Sequence, residues 1–367
     1  MNPSRMPARP RILFIAPLPP PVTGQAIAGQ ALLDGLRTTH DAQVIDLMKG
    51  HHRQGFTSLN HALKVLGFVW RSWRAAPGRD VIYLSLSQSI AGNLKDCAIL
   101  WALGRHRERT VLHLHGGGIR RTVYDRSRLL RFLNARLLRS VRRVVVLGAS
   151  LHAVFEGLVE RDRIVSVPNF AANELFLSRQ EIAAKVLSDG PLEVLYLSTL
   201  FESKGYDVLV DAAERIERVR PGELRLTIAG SFVDEAQERR VRPRLDAIPN
   251  IQYCGVLDGD ARREALARSH VLCLPTRYPY EGQPLCILEA YASGCAVLTT
   301  DQGGIRDIFE PGVNGLEVER TAESVERALL ECLDDRVRVA GFARANRDIA
   351  EYYTLDAHLE RLRDVLS

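Results

Sequence analysis

Two glutamates, Glu281 and Glu289, lie eight residues apart in a segment that predicts a loop followed by a short helix, Pro284–Ser293. Glu281 lies in the loop, and Glu289 lies about five residues into the helix, roughly 7–8 Å along its axis at about 1.5 Å per residue. Carboxylates at this separation can bind two different parts of one extended ligand. Glu289 has apolar neighbours, and a buried carboxylate needs polar partners. The alternative is that both are surface residues of an amphipathic helix.

The start of this predicted helix is suited to an anion. The first backbone N–H groups, those of Leu285 and Cys286, have no acceptor within the helix, and the helix dipole adds partial positive charge there. A diphosphate is an anion that such a helix start binds. A carboxylate further along, such as Glu289, can accept the two vicinal hydroxyls of a ribose.

A lysine occupies a comparable place earlier in the chain. Lys204 follows the predicted strand Leu192–Thr199 and precedes Gly205, where a helix is predicted to begin. Only five of the 49 basic residues are lysines, and a compact ammonium beside a helix start suits a phosphate. An ordinary solvated lysine is the alternative.

Two segments of the first half also follow predicted strands. Gly24 lies between the first strand and the first helix, where glycine permits close approach of a ligand to the backbone. His113 and His115 share one face of a strand, and His115 enters a Gly-rich turn. Either histidine could instead be structural. A metal pair is disfavoured because no carboxylate lies nearby to complete it.

Short apolar runs alternate with amphipathic stretches along the whole chain, a pattern typical of βα units around parallel sheets. A polar break near residues 180–191 separates two such series. The prediction is an α/β protein of two Rossmann-like domains, 1–185 and 186–367, with the last helices packing back on the first domain. Ligands of open α/β sheets bind beyond the carboxyl ends of the strands, so a cleft between the domains is expected. The predicted strands are Arg11–Pro17, Ala42–Leu47, Val81–Ser87, Thr110–Gly116, Arg143–Ala149, Ile164–Phe170, Leu192–Thr199, Leu224–Gly230, Ile251–Gly255, Val271–Thr276 and Ala296–Thr300.

The composition is that of a globular protein, with 46% hydrophobic and 25% charged residues and a net charge of +5. No apolar run approaches the length of about 18 residues that a membrane span needs, and no signal peptide is evident, so a cytoplasmic location is expected. The six cysteines form no CxxC pair and are expected to be buried free thiols. Asp258-Gly259-Asp260 is similar to a DxD metal motif, but Asp260 is better explained as a helix N-cap.

Aromatic and basic residues are interleaved in the first half. Residues 61–76 mix Phe68, Trp70 and Trp73 with lysine and arginine, and 105–143 contain twelve arginines but only two acids. This combination suits a peripheral contact with an anionic membrane at its inner face. The alternative is a solvated helix face above ordinary core. Nucleic acid is not an expected partner, because no pattern of a known nucleic-acid-binding module is present.

The spacing Glu281-x7-Glu289 resembles that of the retaining GT-B glycosyltransferases of family 4. The downstream segments Thr300–Ile308 and Asn314-Gly315 are similar to the same family's pattern. The resemblance covers nearly the whole chain, more firmly its second half. It implies the GT-B fold, two Rossmann-like domains facing each other across a cleft, with a nucleotide-sugar held mainly by the C-terminal one.

The resemblance also implies roles for individual residues. Those expected to act on the donor sugar or its leaving group are Glu281, His115 and Lys204. Those expected to bind the donor are Gly24, Thr199, Lys204, Arg277, Gly282, Gln283, Leu285, Cys286 and Glu289. The family usually has an arginine where this chain has Thr199. Either Arg277 or Arg306 supplies the missing charge, or the donor binds less tightly.

The implied activity is transfer of a sugar, with retention of configuration, from a nucleotide-diphosphate-sugar to a glycan or lipid-linked acceptor in envelope polysaccharide synthesis. No cofactor or metal is expected, and Glu281 is not expected to act as a nucleophile, since the family's accepted picture is front-face attack. A non-catalytic nucleotide- or carbohydrate-binding protein on the same scaffold is the alternative, which Thr199 favours. An epimerase is a further alternative. A phosphorylase is disfavoured because no lysine lies in an evident Schiff-base setting for a pyridoxal cofactor.

Overall fold

The computed structural model describes residues 9–20, 23–48, 58–186 and 190–367. Most of the Pro- and Arg-rich start, part of the first strand-to-helix loop and part of the polar break lie outside these ranges. The chain forms two compact units. One comprises the residues up to Pro168 together with His358–Ser367, and the other comprises Asn169–Ala357.

The N-terminal unit is built on a parallel six-stranded sheet in the order β2-β1-β3-β4-β5-β6. The inner strands are almost wholly buried, as expected where helices cover both faces of a parallel sheet. The strands are β1 (Arg11–Ala16), β2 (Asp41–Asp46), β3 (Val81–Ser85), β4 (Thr110–Leu114), β5 (Arg143–Val146) and β6 (Ile164–Ser166). The α-helices are α1 (Gly24–Arg37), α2 (Ser58–Ala75), α3 (Ile90–Leu103), α4 (Arg128–Leu138) and, from the end of the chain, α12 (Leu355–Leu366).

The C-terminal unit repeats the plan with the sheet order β12-β11-β10-β7-β8-β9, again all parallel. Its strands are β7 (Leu192–Leu197), β8 (Leu224–Ala229), β9 (Ile251–Gly255), β10 (Val271–Leu274), β11 (Ala296–Thr299) and β12 (Gly315–Glu317). Its α-helices are α5 (Arg179–Val186), α6 (Tyr206–Val219), α7 (Glu235–Ala247), α8 (Gly259–Arg268), α9 (Leu285–Ala292), α10 (Ala322–Asp334) and α11 (Arg336–Ala350). Within the described ranges, no helix has both the length and the apolarity needed to cross a bilayer.

All eleven predicted strands are present, but most end one to four residues earlier than predicted. Their last apolar residues belong instead to the loops that leave the carboxyl edges of the sheets. The unpredicted strand is β12, whose three residues are too few to show a period. It pairs with β11, and a Cβ on Gly315 would lie 1.8 Å from the Val297 carbonyl oxygen, so this edge of the sheet requires glycine.

The helix ends differ from the predicted ones in two places. Helix α8 begins at Gly259 with Asp258 as the residue before it, so the predicted N-cap, Asp260, lies in the first turn. There its carboxylate still complements the helix dipole. Pro284 precedes α9 rather than opening it, and Gly294, two residues after the end of the helix, has a φ of +60°.

The division between the units falls after Pro168, seventeen residues before the predicted boundary. The polar composition near Gln180 suggested a linker, but α5 has a buried face. Ile182 packs beside Gly294, and the Lys185 ammonium donates to the Ser293 carbonyl, both within the C-terminal unit.

All six cysteines are free thiols, five buried and Cys254 half-buried. Burial raises the pKa of Cys97, Cys286 and Cys332 to about 12 in each case. Because the thiolate is the reactive form, these thiols are inert in the folded protein.

Candidate active site

Lys204 and Glu281 form a buried ion pair at the carboxyl edge of the C-terminal sheet. Lys204 follows β7 and Glu281 follows β10, and these strands are neighbours. The Lys204 ammonium lies 2.8 Å from Oε1 and 2.7 Å from Oε2 of Glu281. The side chains are 13% and 6% exposed, so water screens the pair little. An ammonium has three donors, so one remains available to another anion.

Two neighbouring residues hold this pair. The Thr276 hydroxyl donates to Oε2 of Glu281 at 3.0 Å and accepts from the backbone N–H of Tyr278, also at 3.0 Å. The Lys204 ammonium lies 4.6 Å from the centroid of the Tyr278 ring, a cation–π distance. The Phe201 ring stacks on the Tyr278 ring, with 5.8 Å between the ring centroids. The positions of both charged groups are therefore fixed before any ligand binds.

Two glycines allow the loops that carry the pair to approach each other. Gly205 has a φ of +82°, and a Cβ there would lie 2.2 Å from the carbonyl oxygen of Pro275. Gly303 has a φ of +59°, and a Cβ there would lie 2.3 Å from the carbonyl oxygen of Glu281. Glycine adopts these conformations without steric cost, and no other residue leaves room for the facing carbonyls.

Gly303→Ala is expected to displace Glu281 and to lower the melting temperature. Alanine at positive φ costs about 1–2 kcal/mol, and the clash with the Glu281 carbonyl adds to this. Gly312→Ala is the matched control, because Gly312 has a φ of +82° but a Cβ there would meet nothing within 4 Å. Calorimetric melting of both variants measures the difference. Equal losses of stability in the two variants would mean that the clash with the Glu281 carbonyl contributes nothing to the loss in Gly303→Ala.

The start of α9 offers free backbone donors. The N–H groups of Leu285 and Cys286 have no acceptor within the described ranges. The preceding loop is fixed by Gln283, whose Oε1 accepts from the backbone N–H of Asn169 at 2.9 Å and whose carbonyl accepts from the Asn169 amide at 2.8 Å. Gly282 is buried in the same loop. Oε1 of Gln283, an expected donor ligand, is thus engaged in shaping this turn.

Glu289 has a partner that the sequence did not reveal. Arg262, on α8, donates to Oε2 of Glu289 through Nε at 3.2 Å and also through its terminal nitrogen. The side chains are 18% and 6% exposed. Burial lowers the pKa of Arg262, but the charge and hydrogen bonds of Glu289 outweigh it and raise the pKa overall. Oε1 of Glu289 has no hydrogen-bond partner in the part of the chain described, so it can accept from a ligand hydroxyl.

Two arginines were expected to replace the cation missing at Thr199. Arg306 forms two hydrogen bonds to Asp301, at 3.0 and 2.7 Å, so its charge is already neutralised. Arg277 has an exposed side chain without an ion pair among the described residues, and its backbone N–H donates to the Ser203 carbonyl at 2.8 Å. Thr199 itself is half-buried. Arg277 is therefore the better placed of the two to supply the charge.

His115 belongs to a histidine cluster in the N-terminal unit. The Tyr83 hydroxyl bonds Nδ1 of His113 at 2.8 Å and Nε2 of His115 at 3.2 Å, and the two imidazoles stack with 3.9 Å between centroids. His358 of α12 lies 6.4 Å from His113, between ring centroids. Burial lowers the pKa of His115 to about 3 and that of His358 to about 4, so both are neutral at pH 7.

His113, in β4, and His115, directly after it, are not equivalent. His113 is fully buried, whereas His115 is half-buried at the end of the strand. Nδ1 of His115 is buried and has no hydrogen-bond partner in the described ranges. No group of three or more histidine, cysteine, aspartate or glutamate side chains within those ranges is placed to hold a metal ion.

Gly24 lies at the same edge of the N-terminal sheet as His115. It is the first residue of α1, after the N-cap Thr23, whose hydroxyl accepts from the backbone N–H of Ala26 at 3.1 Å. Strands β1, β3 and β4 are adjacent, so the segments that follow β1 and β4 leave the sheet on one side. A Cβ on Gly24 would meet nothing within 4 Å, which leaves open space beside the backbone.

Gly24→Ala is expected to leave the melting temperature unchanged or slightly raised, because alanine favours helix by up to about 1 kcal/mol and finds room there. If a ligand contacts this backbone, its affinity should fall by about tenfold or more, since displacement of a well-fitted ligand readily costs about 1.4 kcal/mol. Gly341→Ala on α11 is the control, being equally unobstructed. Unchanged ligand affinity in Gly24→Ala would contradict a role for Gly24.

The described structure brings Lys204, Glu281 and the start of α9 together within the C-terminal unit, with Glu289 further along the same helix. Gly24 and His115 lie in the N-terminal unit. Arg262 is the residue that sequence reasoning missed. The one available signal was that Glu289, among apolar neighbours, required a partner.

The C-terminal unit is similar in sequence to known proteins. Residues 191–354 match the family model of the group 1 glycosyl transferases. A glycogen synthase of Mycobacterium tuberculosis is 30% identical over 182 residues, 48% of this chain and 42% of that protein. A GDP-mannose-dependent monoacylated alpha-(1-6)-phosphatidylinositol monomannoside mannosyltransferase of Corynebacterium glutamicum is 30% identical over 176 residues, 46% of this chain and 45% of that protein. The matches thus span less than half the length of these relatives.

The likeness in fold extends over the whole chain. The crystal structure of Anabaena HepE in complex with UDP superposes with a TM-score of 0.73 at 18% identity, covering 97% of this chain and 99% of the other. Lys204, Glu281 and Glu289 all lie within the matched residues 191–354. Those residues are similar to the group 1 glycosyl transferases, and the chain as a whole has the GT-B fold.

Proposed function

We propose that this chain transfers a sugar from a nucleotide-diphosphate-sugar to a glycan or lipid-linked acceptor, with retention of configuration, in the synthesis of an envelope polysaccharide. The observation that carries the proposal is the buried pair of Lys204 and Glu281 beside the N–H groups of Leu285 and Cys286, which have no acceptor among the described residues. A spare ammonium donor and two backbone donors at one sheet edge form a site for a dianionic group. The acceptor class draws support from the Corynebacterium relative, whose name specifies a lipid-linked mannoside.

In the proposed reaction the bond between the anomeric carbon and the diphosphate oxygen breaks, and a bond to the acceptor hydroxyl forms on the same face. The acceptor proton passes to the departing diphosphate. Lys204, the start of α9 and Arg277 stabilise the charge that develops on the leaving group, an electrostatic contribution that preorganised donors make without rearrangement. Glu281 orients the sugar, Oε1 of Glu289 accepts from the ribose, and His115 contacts the sugar.

The neutral state of His115 fits such a role. Burial, followed by the influence of His358, lowers its pKa to about 3, so the imidazole acts as an uncharged hydrogen-bonding group at pH 7. It therefore orients a hydroxyl without attracting the diphosphate. No metal or cofactor takes part in the proposed reaction.

A thermal-shift screen with UDP, GDP, ADP and their sugars tests the donor site. A ligand at a hundred times its dissociation constant stabilises the folded state by about 2.7 kcal/mol, which raises the melting temperature measurably. The nucleotide that does so is then supplied as a radiolabelled sugar with a lipid-linked acceptor pool, and the anomeric configuration of the product is determined by NMR. Failure of every nucleotide to bind would overturn the proposal. Inversion of configuration would overturn the retaining mechanism alone.

A second candidate is a nucleotide- or carbohydrate-binding protein without turnover. It is favoured by Thr199, which removes one cation from the site, and by the pairing of Arg306 with Asp301. This candidate would be supported if calorimetry showed nucleotide binding and none of the nucleotide-sugars tested was transferred or hydrolysed. Restoration of transfer in Thr199→Arg would show that the missing charge is the cause.

A further inference from the structure

The described N-terminal unit leaves nine large apolar side chains more than one-third exposed, and all nine lie on three helices, α2, α3 and α4. Scattered exposed apolar residues are normal in globular proteins, but a concentration of them on adjacent elements marks an interaction surface. The exposed apolar residues of the C-terminal unit are spread over several loops and helices and show no such grouping.

The sheet topology places these helices side by side. Each of these helices connects two parallel strands, and each connection runs across the sheet in the direction from β1 towards β5. Because such connections are right-handed, helices of connections that run in the same direction lie on the same face of the sheet. Helix α1, which leads from β1 to β2 in the opposite direction, belongs to the other face. Helix α3 packs between α2 and α4. The outer sides of α2, α3 and α4 therefore form one continuous surface, here named the tryptophan face.

The exposed residues of α2 form a single stripe. Leu63, Leu66, Trp70 and Trp73 are 56–61% exposed and follow one another at intervals of three, four and three residues, the spacing of one helix face. Phe68 points the other way and is 3% exposed. The stripe is thus the outer side of an amphipathic helix whose inner side is already packed.

The other two helices continue the stripe. On α3, Ile90, Leu94 and Trp101 stand at intervals of four and seven residues and are 43%, 48% and 74% exposed. On α4, Leu129 and Phe132 are 74% and 65% exposed and three residues apart. All three tryptophans of the chain, Trp101 with the two on α2, consequently lie on this one face.

The charges around the tryptophan face have one sign. Helices α2, α3 and α4 together carry seven lysines and arginines and a single acid, Asp96. Asp96 is 1% exposed and bonds the Lys95 ammonium at 2.6 Å, so it presents no negative charge to solvent. On α2 the Arg74 guanidinium lies 5.7 Å from the centroid of the Trp70 ring, which places charge directly beside the apolar stripe. A partner of complementary chemistry is both apolar and anionic.

We propose that the tryptophan face docks on an anionic lipid bilayer. Tryptophan and leucine enter the interface between headgroups and acyl chains, while lysine and arginine remain at the level of the lipid phosphates. A second copy of this chain fits less well, because a symmetric contact would bring two positive faces together. Docking is independent of the proposed transfer activity, and it would place this unit where a lipid-linked acceptor is presented.

Tryptophan fluorescence of the full chain reports the face directly, since every tryptophan lies on it. In buffer the emission should be that of exposed tryptophan. Vesicles of phosphatidylcholine with 30% phosphatidylglycerol should shift it to shorter wavelength and should carry the protein down on centrifugation. Vesicles of phosphatidylcholine alone should do neither, and raised salt should weaken binding because it screens the charges.

Two variants separate the apolar and the charged contributions. Leu66→Glu with Phe132→Glu leaves the tryptophans in place and should lower vesicle binding at least about tenfold, as should Arg71→Glu with Arg74→Glu. Val337→Glu is the control, because Val337 is 83% exposed on α11 of the C-terminal unit. It should bind as the unaltered protein does. All of these positions are exposed, so melting curves should be preserved.

Three results would overturn the proposal. The first is no spectral shift or co-sedimentation of the unaltered protein with anionic vesicles. The second is that both double variants bind anionic vesicles as tightly as the unaltered protein does. The third is short-wavelength emission in buffer together with a dimeric mass, which would show that a second copy covers the face. Nucleotide binding is measured separately by thermal shift. A protein that binds a nucleotide but not vesicles would contradict docking without contradicting the proposed transferase function.

Discussion

Lys204→Met is expected to destabilise the C-terminal unit by about 3–5 kcal/mol and to lower transfer about 10²- to 10³-fold. The substitution leaves the Glu281 carboxylate buried without its cation, and an uncompensated buried charge costs energy of this size. The loss of rate follows because one preorganised donor to the leaving group disappears. Urea unfolding and the turnover number measure the two effects separately.

The double variant Lys204→Met with Glu281→Gln distinguishes the two effects. Removing both charges relieves the unpaired carboxylate, so most of the lost stability should return, whereas transfer should stay lost. Glu281→Gln alone should also be destabilised, because it leaves the ammonium, 13% exposed, without its carboxylate. Complete additivity of the single-variant losses would contradict coupling between the two residues, since groups in contact are expected to couple. The same coupling means that Glu281→Ala should cost stability as well as transfer.

Acidification from pH 7.5 to pH 5 is expected to destabilise the N-terminal unit by about 2 kcal/mol through His358, and protonation of His113 should add to the loss. Burial is the main cause that lowers the pKa of both imidazoles, that of His358 to about 4 and that of His113 well below its ordinary value. The unfolded chain, with a histidine pKa of about 6.5, therefore binds more protons than the folded state below that pH. Stability is fully present above pH 6.5 and falls as the pH drops towards 4.

His358→Asn is the matched variant for this effect. The imidazole Nδ1 bonds the Pro168 carbonyl at 2.6 Å, and an asparagine amide can replace that donor without titrating. The fall in unfolding free energy between pH 7.5 and pH 5 should then shrink by about 2 kcal/mol, the contribution of one histidine. Hydrogen exchange of the β4 peptide, read by mass spectrometry, follows the N-terminal unit alone. An unchanged pH dependence in the variant would show that His358 titrates normally in the folded protein.

The fold could be predicted because its signal is local. Each strand of a covered parallel sheet is an apolar run, and eleven of twelve showed as such. Strand β12 escaped because three residues have no period, and its glycine is explained only by the carbonyl of Val297 that it faces. The boundary was misplaced because Ile182 looks like part of a polar linker until its packing beside Gly294 is seen.

The site was predicted as a set of residues rather than as an arrangement. The spacing of Glu281 and Glu289 follows from one stretch of chain, but the partner of each comes from elsewhere. Lys204 lies 77 residues before Glu281, and Arg262 lies 27 residues before Glu289 on another helix. Local periodicity contains no information about such pairings. It also could not show that Arg306 is already paired with Asp301, while Arg277 forms no ion pair with any described residue.

The distribution of the thiols makes each unit separately observable. Cys97 is the single cysteine of the N-terminal unit, whereas Cys273 lies in the C-terminal sheet, and both are buried and protonated. Pulse alkylation followed by peptide mapping would therefore measure the rate of opening of each unit separately. The unaltered protein would thus show whether a bound nucleotide slows the opening of one unit or of both.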